Sequence, residues 1–168
     1  MSKSFNKTQI QYLRKLIGSK LSNIFKQLDF LIINFGEGPS FSLHVYCYVL
    51  ITMRNQILLS SFDECCLSNH KIIQDYNRDN ENLIKKSLLE KTRLLVIDKL
   101  ADSYVADVHV DSVGNIFIIF DNNAVINIYL DSQLVEQEFY RFIDFSLPNK
   151  PHLIVKAKKG CVFTEYLE

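Results

Sequence analysis

The stretch Phe41-Ser42-Leu43-His44-Val45-Tyr46-Cys47-Tyr48-Val49-Leu50-Ile51 alternates from residue to residue. Leu43, Val45, Cys47, Val49 and Ile51 share one face, and Ser42, His44, Tyr46 and Tyr48 share the other. A period of two is that of a strand with one buried side, because successive side chains point to opposite faces. Arg54-Asn55 then makes a tight turn into residues 56–60, so the middle of the chain reads as a hairpin. Upstream, residues 21–25 and 29–35 read as strands, stopped by the turn cluster Gly36-Glu37-Gly38-Pro39. Downstream, residues 104–110, 115–120 and 124–130 are three β-like runs. They are joined by Asp111-Ser112-Val113-Gly114 and Asp121-Asn122-Asn123, both rich in turn formers, which predicts an antiparallel meander. Residues 116–120 are apolar on both faces, so this run is expected centrally, with a helix over one side.

Two segments carry helical spacing. Asn6 is placed to cap a short helix with Gln9 three residues on, Ile10, Leu13 and Ile17 share a face, and Gly18 can end it. A second helix is expected from near Glu81, capped by Asp79 or Asn80, with Ile84, Leu88 and Leu95 reinforced by Leu89 and Val96. Residues 94–97 fit either its last turn or a separate strand. Residues 62–79 lose periodicity and read as an irregular connection. Residues 136–144 fit a helical turn or an extended segment, and 152–157 and 161–166 look like late strands around Gly160.

The chain has 168 residues, 48% hydrophobic and 23% charged, with no repeat, linker or low-complexity tract dividing it. The expectation is a single α+β domain over residues 1–168: one twisted, mainly antiparallel sheet with two principal helices packed on it. At this length folding buries roughly 70% of the unfolded chain's surface, enough for a core without disulfides or metal. The apolar runs are far shorter than the roughly 20 residues of a bilayer crossing, so a cytoplasmic protein with no membrane partner is expected. Cys47, Cys65, Cys66 and Cys161 are expected as thiols.

Nineteen basic residues balance nineteen acidic ones, yet the charges are segregated. Residues 1–35 carry six Lys/Arg (Lys3, Lys7, Arg14, Lys15, Lys20, Lys26) against Asp29. Residues 98–144 carry nine carboxylates against Lys99 and Arg141. An acidic surface of this kind either keeps a sheet edge solvated or accepts a basic partner.

Signatures of catalysis are sparse. Asp63, Glu64, Cys65, Cys66 and His70 are close in sequence, but there is no CxxC, HxxxH or GxSxG pattern, and no cofactor or metal is expected. Cys66 with His70 is a neighbouring Cys/His pair whose adjacent carboxylates oppose thiolate formation. His44, His109 and His152 stand singly on strands that pairing could bring together. Gly36-Glu37-Gly38-Pro39 leads into a strand and not a helix, so it is a turn and not a phosphate cradle. Lys3, Lys7, Arg14, Lys15 and Lys20 form a modest basic cluster, and the acidic second half disfavours nucleic acid as a partner.

Five stretches together resemble a style of small bacterial protein: Leu16-Ile17-Gly18-Ser19-Lys20-Leu21, Phe30-Leu31-Ile32-Ile33-Asn34-Phe35-Gly36, Ser42-Leu43-His44-Val45-Tyr46-Cys47, Ile57-Leu58-Leu59-Ser60-Ser61-Phe62-Asp63 and Gly114-Asn115-Ile116-Phe117-Ile118-Ile119-Phe120. With Glu138-Phe139-Tyr140-Arg141-Phe142 and Pro151-His152-Leu153-Ile154-Val155 the layout is similar to immunity proteins of contact-dependent growth inhibition and related polymorphic toxin systems. The resemblance implies a stoichiometric, non-enzymatic inhibitor. Its partner would be the cognate toxin's C-terminal domain, carried on a large exported effector and often a nuclease with a basic cleft. The expected binding surface is Asp102, Asp107, Asp111, Asp121, Asp131, Glu136 and Glu138, anchored by Tyr104, Tyr129 and Tyr140. The competing readings are a small enzyme built on Cys65, Cys66 and His70, and a nucleic-acid binder using the basic N-terminus.

Overall fold

The alternating stretch 41–51 forms two strands, and the break at Tyr46-Cys47 organises the molecule. The computed structural model describes residues 5–27, 30–38, 40–61, 91–130, 137–158 and 161–167. In chain order these form α1 (Lys7–Leu13), a 3-10 turn (Arg14–Leu16), β1 (Leu21–Gln27), β2 (Phe30–Phe35), β3 (Phe41–Val45), β4 (Tyr48–Met53) and β5 (Gln56–Ser60). They continue with α2 (91–100), β6 (Val105–Val110), β7 (Ile116–Phe120), β8 (Ala124–Tyr129), β9 (Glu138–Asp144), β10 (His152–Lys158) and β11 (Cys161–Leu167). The α+β class is the one the sequence implies, and every named strand pair is antiparallel.

The strands divide between a six-stranded sheet, ordered β1-β2-β3-β9-β10-β11, and a five-stranded sheet, ordered β5-β4-β8-β7-β6. Val45 pairs with Leu31 and Tyr140 in the first, whereas Tyr48 pairs with Tyr129 in the second. The chain therefore changes sheet across two residues. The physical gain is burial: Leu43 and Val45 from one sheet and Val49 and Ile51 from the other join one core cluster, which a single flat sheet could not enclose. A second junction closes the opposite flank. Gly18 N–H donates to Val105 O (2.8 Å), Val105 N–H donates to Ser19 O (2.9 Å), and Lys20 bridges Tyr104.

Local chemistry explains the elements. Asn6 and Gln9 form a reciprocal capping box, each side-chain oxygen accepting the other's backbone N–H at 2.9 Å. The tightening to 3-10 geometry after Leu13 brings Leu16 under Leu13, so Tyr12, Leu13 and Leu16 are buried while Ile17 turns outward. Residues 94–97 belong to α2, of which Val96 and Leu100 enter the core and Leu94 and Leu95 face outward. Arg54 and Asn55 both have positive φ, 50° and 64°, the signature of the mirror-image hairpin turn. The meander forms as β6-β7-β8, but β8 is the central strand and β7 lies next to it. Residues 138–144, read as helical or extended, are strand β9. No helix among the described residues is long and apolar enough to cross a membrane.

Candidate functional site

The segregated charges meet each other in the fold. Arg14 Nη2 lies 3.1 Å from Asp107, Lys15 Nζ 2.8 Å from Asp144, and Lys20 Nζ 3.9 Å from Asp102. The basic N-terminal segment thus lies along the acidic one, and part of the expected charged flank is neutralised within the chain. Among these, Lys15–Asp144 is the most enclosed, since Asp144 is buried while the Lys15 side chain remains half-exposed. Burial alone would raise the Asp144 carboxyl, but the Lys15 ammonium and Ser146 hydroxyl and N–H outweigh it and hold it below the ordinary range.

The ten expected contact residues separate into several groups. Asp102, Tyr104, Asp107 and Asp121 gather at one corner, where Tyr104 N–H donates to Asp121 Oδ1 and the Lys20 ammonium sits 4.8 Å from the Tyr104 ring centre. Tyr104 is 46% exposed there. Asp111 is instead a turn staple: its carboxylate accepts from the backbone of Val113, Gly114 and Asn115 and from Asn115 Nδ2. Those donors outweigh the effect of burial and lower its pKa. Tyr140 is corrected as a surface anchor, because it is fully buried and donates its hydroxyl to Gly114 O at 3.1 Å. Burial pushes that phenol well above its usual range. Glu138 lies on the other sheet, clamped by Arg141. Asp131, Glu136, Cys65, Cys66 and His70 fall outside the described residues.

Tyr129 belongs to an aromatic surface row. On the outer face of the five-stranded sheet, Tyr48 and Tyr129 are register partners with rings stacked at 5.9 Å. Phe117 meets Tyr129 edge-on at 6.0 Å, and His109, its partner on β6, lies 5.9 Å beyond. The result is an aromatic row across β4, β8, β7 and β6. Leu50, Ile119 and Val125 lie on the same half-exposed face. Alternation puts these residues opposite the core-facing Val49, Ile51, Ile116, Ile118, Ile126 and Ile128. Sequence reasoning found Tyr129 but missed Tyr48, Phe117 and His109; the legible signal was aromatics at the outward positions of amphipathic strands, where threonine or lysine would serve solubility.

The outer face of the six-stranded sheet carries a polar cluster. A bulge in β9 lies between the register pairs Val155/Tyr140 and Lys156/Glu138, leaving Phe139 unpaired. Phe139 and Tyr140 consequently both enter the core, while Glu138 and Arg141 emerge on one face. On a regular strand, positions i and i+3 would point apart. Arg141 Nε and Nη2 donate to the two Glu138 oxygens at 2.9 and 2.8 Å, and Nη1 lies 3.4 Å from His152 Nδ1. His44 is the register partner of Arg141, with Phe30 5.5 Å from its ring. Burial first, then the Arg141 charge, lowers the pKa of both histidines; Glu138 pulls the other way. Burial and Glu138 raise that of Tyr46. Among the described residues, no group of three His, Cys, Asp or Glu side chains is placed to hold a metal.

Comparison with protein-family models, curated proteins and solved structures finds no match to this chain.

Proposed function

We propose that the protein is a cytosolic immunity protein that binds a cognate bacterial toxin domain, a nuclease, one to one and acts by occlusion without turnover. The class of partner rests on the sequence resemblance. The observation that carries binding is the aromatic row of Tyr48, Tyr129, Phe117 and His109, backed by Leu50, Ile119 and Val125 on one half-exposed sheet face. Tyrosine-rich, partly apolar faces supply the buried anchors that dominate protein interfaces. Asp107 and the Asp102–Tyr104–Asp121 corner extend this face along β6. Because Arg14 and Lys20 already face these acids, the anchor contributes more affinity than charge steering does.

The test is calorimetric binding to the C-terminal toxin domain encoded upstream, paired with growth protection in cells expressing that toxin. Tyr129→Ala and Phe117→Ala are expected each to weaken binding by roughly 30-fold or more and to reduce protection. Wild-type affinity and protection in both variants would remove the row from the interface. Absence of binding by the unaltered protein would remove the proposal.

A further inference from the structure

The cluster on the other outer face is not needed for the proposed interface and has a property of its own. Arg141 is held by the Glu138 carboxylate, lies against the His152 imidazole and has His44 as its register partner on β3. His152 presents Nδ1 to Arg141 Nη1 at 3.4 Å, and His44 sits opposite Arg141 across the β3–β9 ladder. A guanidinium has only donors, so Nδ1 can face it only as an unprotonated acceptor, with the ring proton on Nε2. Protonation removes that acceptor and places a second cation against the first. A third arises at His44. Among the described side chains of the cluster, the Glu138 carboxylate then faces three positive charges.

We propose that His44, Arg141 and His152 form an acid-sensitive latch across β3, β9 and β10, closed while both imidazoles are neutral and loosened when they take up protons. From β2 the face receives Phe30, Ile32 and Asn34, none titratable; from the break after β3, Tyr46; from β9, Glu138; from β10, Lys156, the register partner of Glu138. On β11, Glu165 is the register partner of Ile154. The sign follows. An imidazole disfavoured as a cation in the folded state gives stability that is whole above the unfolded value of 6.5 and is lost as pH falls below it.

The experiment is denaturant unfolding of the full chain at pH 7.5 and 5.5, together with NMR titration of the histidine ring protons. The wild type is expected to lose stability between these pH values, and His44→Gln/His152→Gln to lose markedly less. Arg141→Gln should raise both imidazole midpoints and Glu138→Gln should lower them, each by about half a pH unit or more. A merely structural role for Arg141 would not move the two midpoints in opposite directions in these two variants. Equal pH dependence in the wild type and the double variant overturns the latch. So do imidazole midpoints at or above 6.5, or midpoints indifferent to Arg141→Gln.

Discussion

Asp144 and Asp111 are carboxylates of the acidic stretch that the fold uses internally. Asp144 is fully buried beside Lys15 and Ser146, and its pKa is held down. A carboxyl with a depressed folded pKa contributes stability above its unfolded value, and that contribution disappears as pH falls through the folded one. Lys15→Met withdraws the cation, so acid unfolding followed by circular dichroism should begin at higher pH than in the wild type. Asp111 satisfies three backbone N–H groups in the β6–β7 turn. Asp111→Ala leaves those donors to solvent or unpaired and should cost about 1–3 kcal/mol in urea denaturation. An unchanged midpoint would mean the turn holds without its staple.

Between elements, turns and bulges set which faces meet. Gly36 ends β2 with φ +99°, and its N–H donates to Lys20 O. A Cβ there would lie 2.6 Å from Ser40 Oγ and 2.7 Å from Ser40 Cβ, whereas one at Gly38 would meet nothing within 4 Å. Both positions have positive φ, which alone costs an ordinary residue about 1–2 kcal/mol. Gly36→Ala should therefore destabilise more than Gly38→Ala, read as the difference between their denaturation midpoints. Equal losses would show that Ser40 moves aside at no cost. The β9 bulge has the other decisive effect: if residues 138–141 formed a regular strand, Glu138 and Arg141, three positions apart, would lie on opposite faces.

For the whole molecule, the N-terminal segment acts as a clasp between the sheets. Tyr12 donates its hydroxyl to Pro151 O at 2.7 Å beside the six-stranded sheet, while Gly18 and Ser19 bond Val105 of the five-stranded one. Leu13 and Leu16 fill the core between these attachments with no exposure. Leu16→Ala should cost about 2–5 kcal/mol, because the cavity opens where both sheets converge. Arg14→Ala, which touches a half-exposed pair, should cost at most about 1 kcal/mol. Thermal unfolding of the two variants checks the contrast, and similar losses would mean that the clasp is electrostatic and not hydrophobic.

The amino-acid sequence by itself pointed to strands starting near 21 and 29, to extended chain over 41–51, to the three successive strands between 104 and 130, to the Asn6 cap and to the Arg54-Asn55 turn. These depend on side-chain period and on backbone preferences that act within a few residues. Tertiary structure alone decided that 41–51 breaks at Tyr46-Cys47, since either half alternates equally well and only the choice of pairing partners separates them. It also decided that the basic and acidic segments face each other, that Tyr140 is interior, and that Tyr48, Phe117, Tyr129 and His109 form one row. Each of these depends on contacts between residues distant in sequence, and register between strands leaves no mark on either strand read alone.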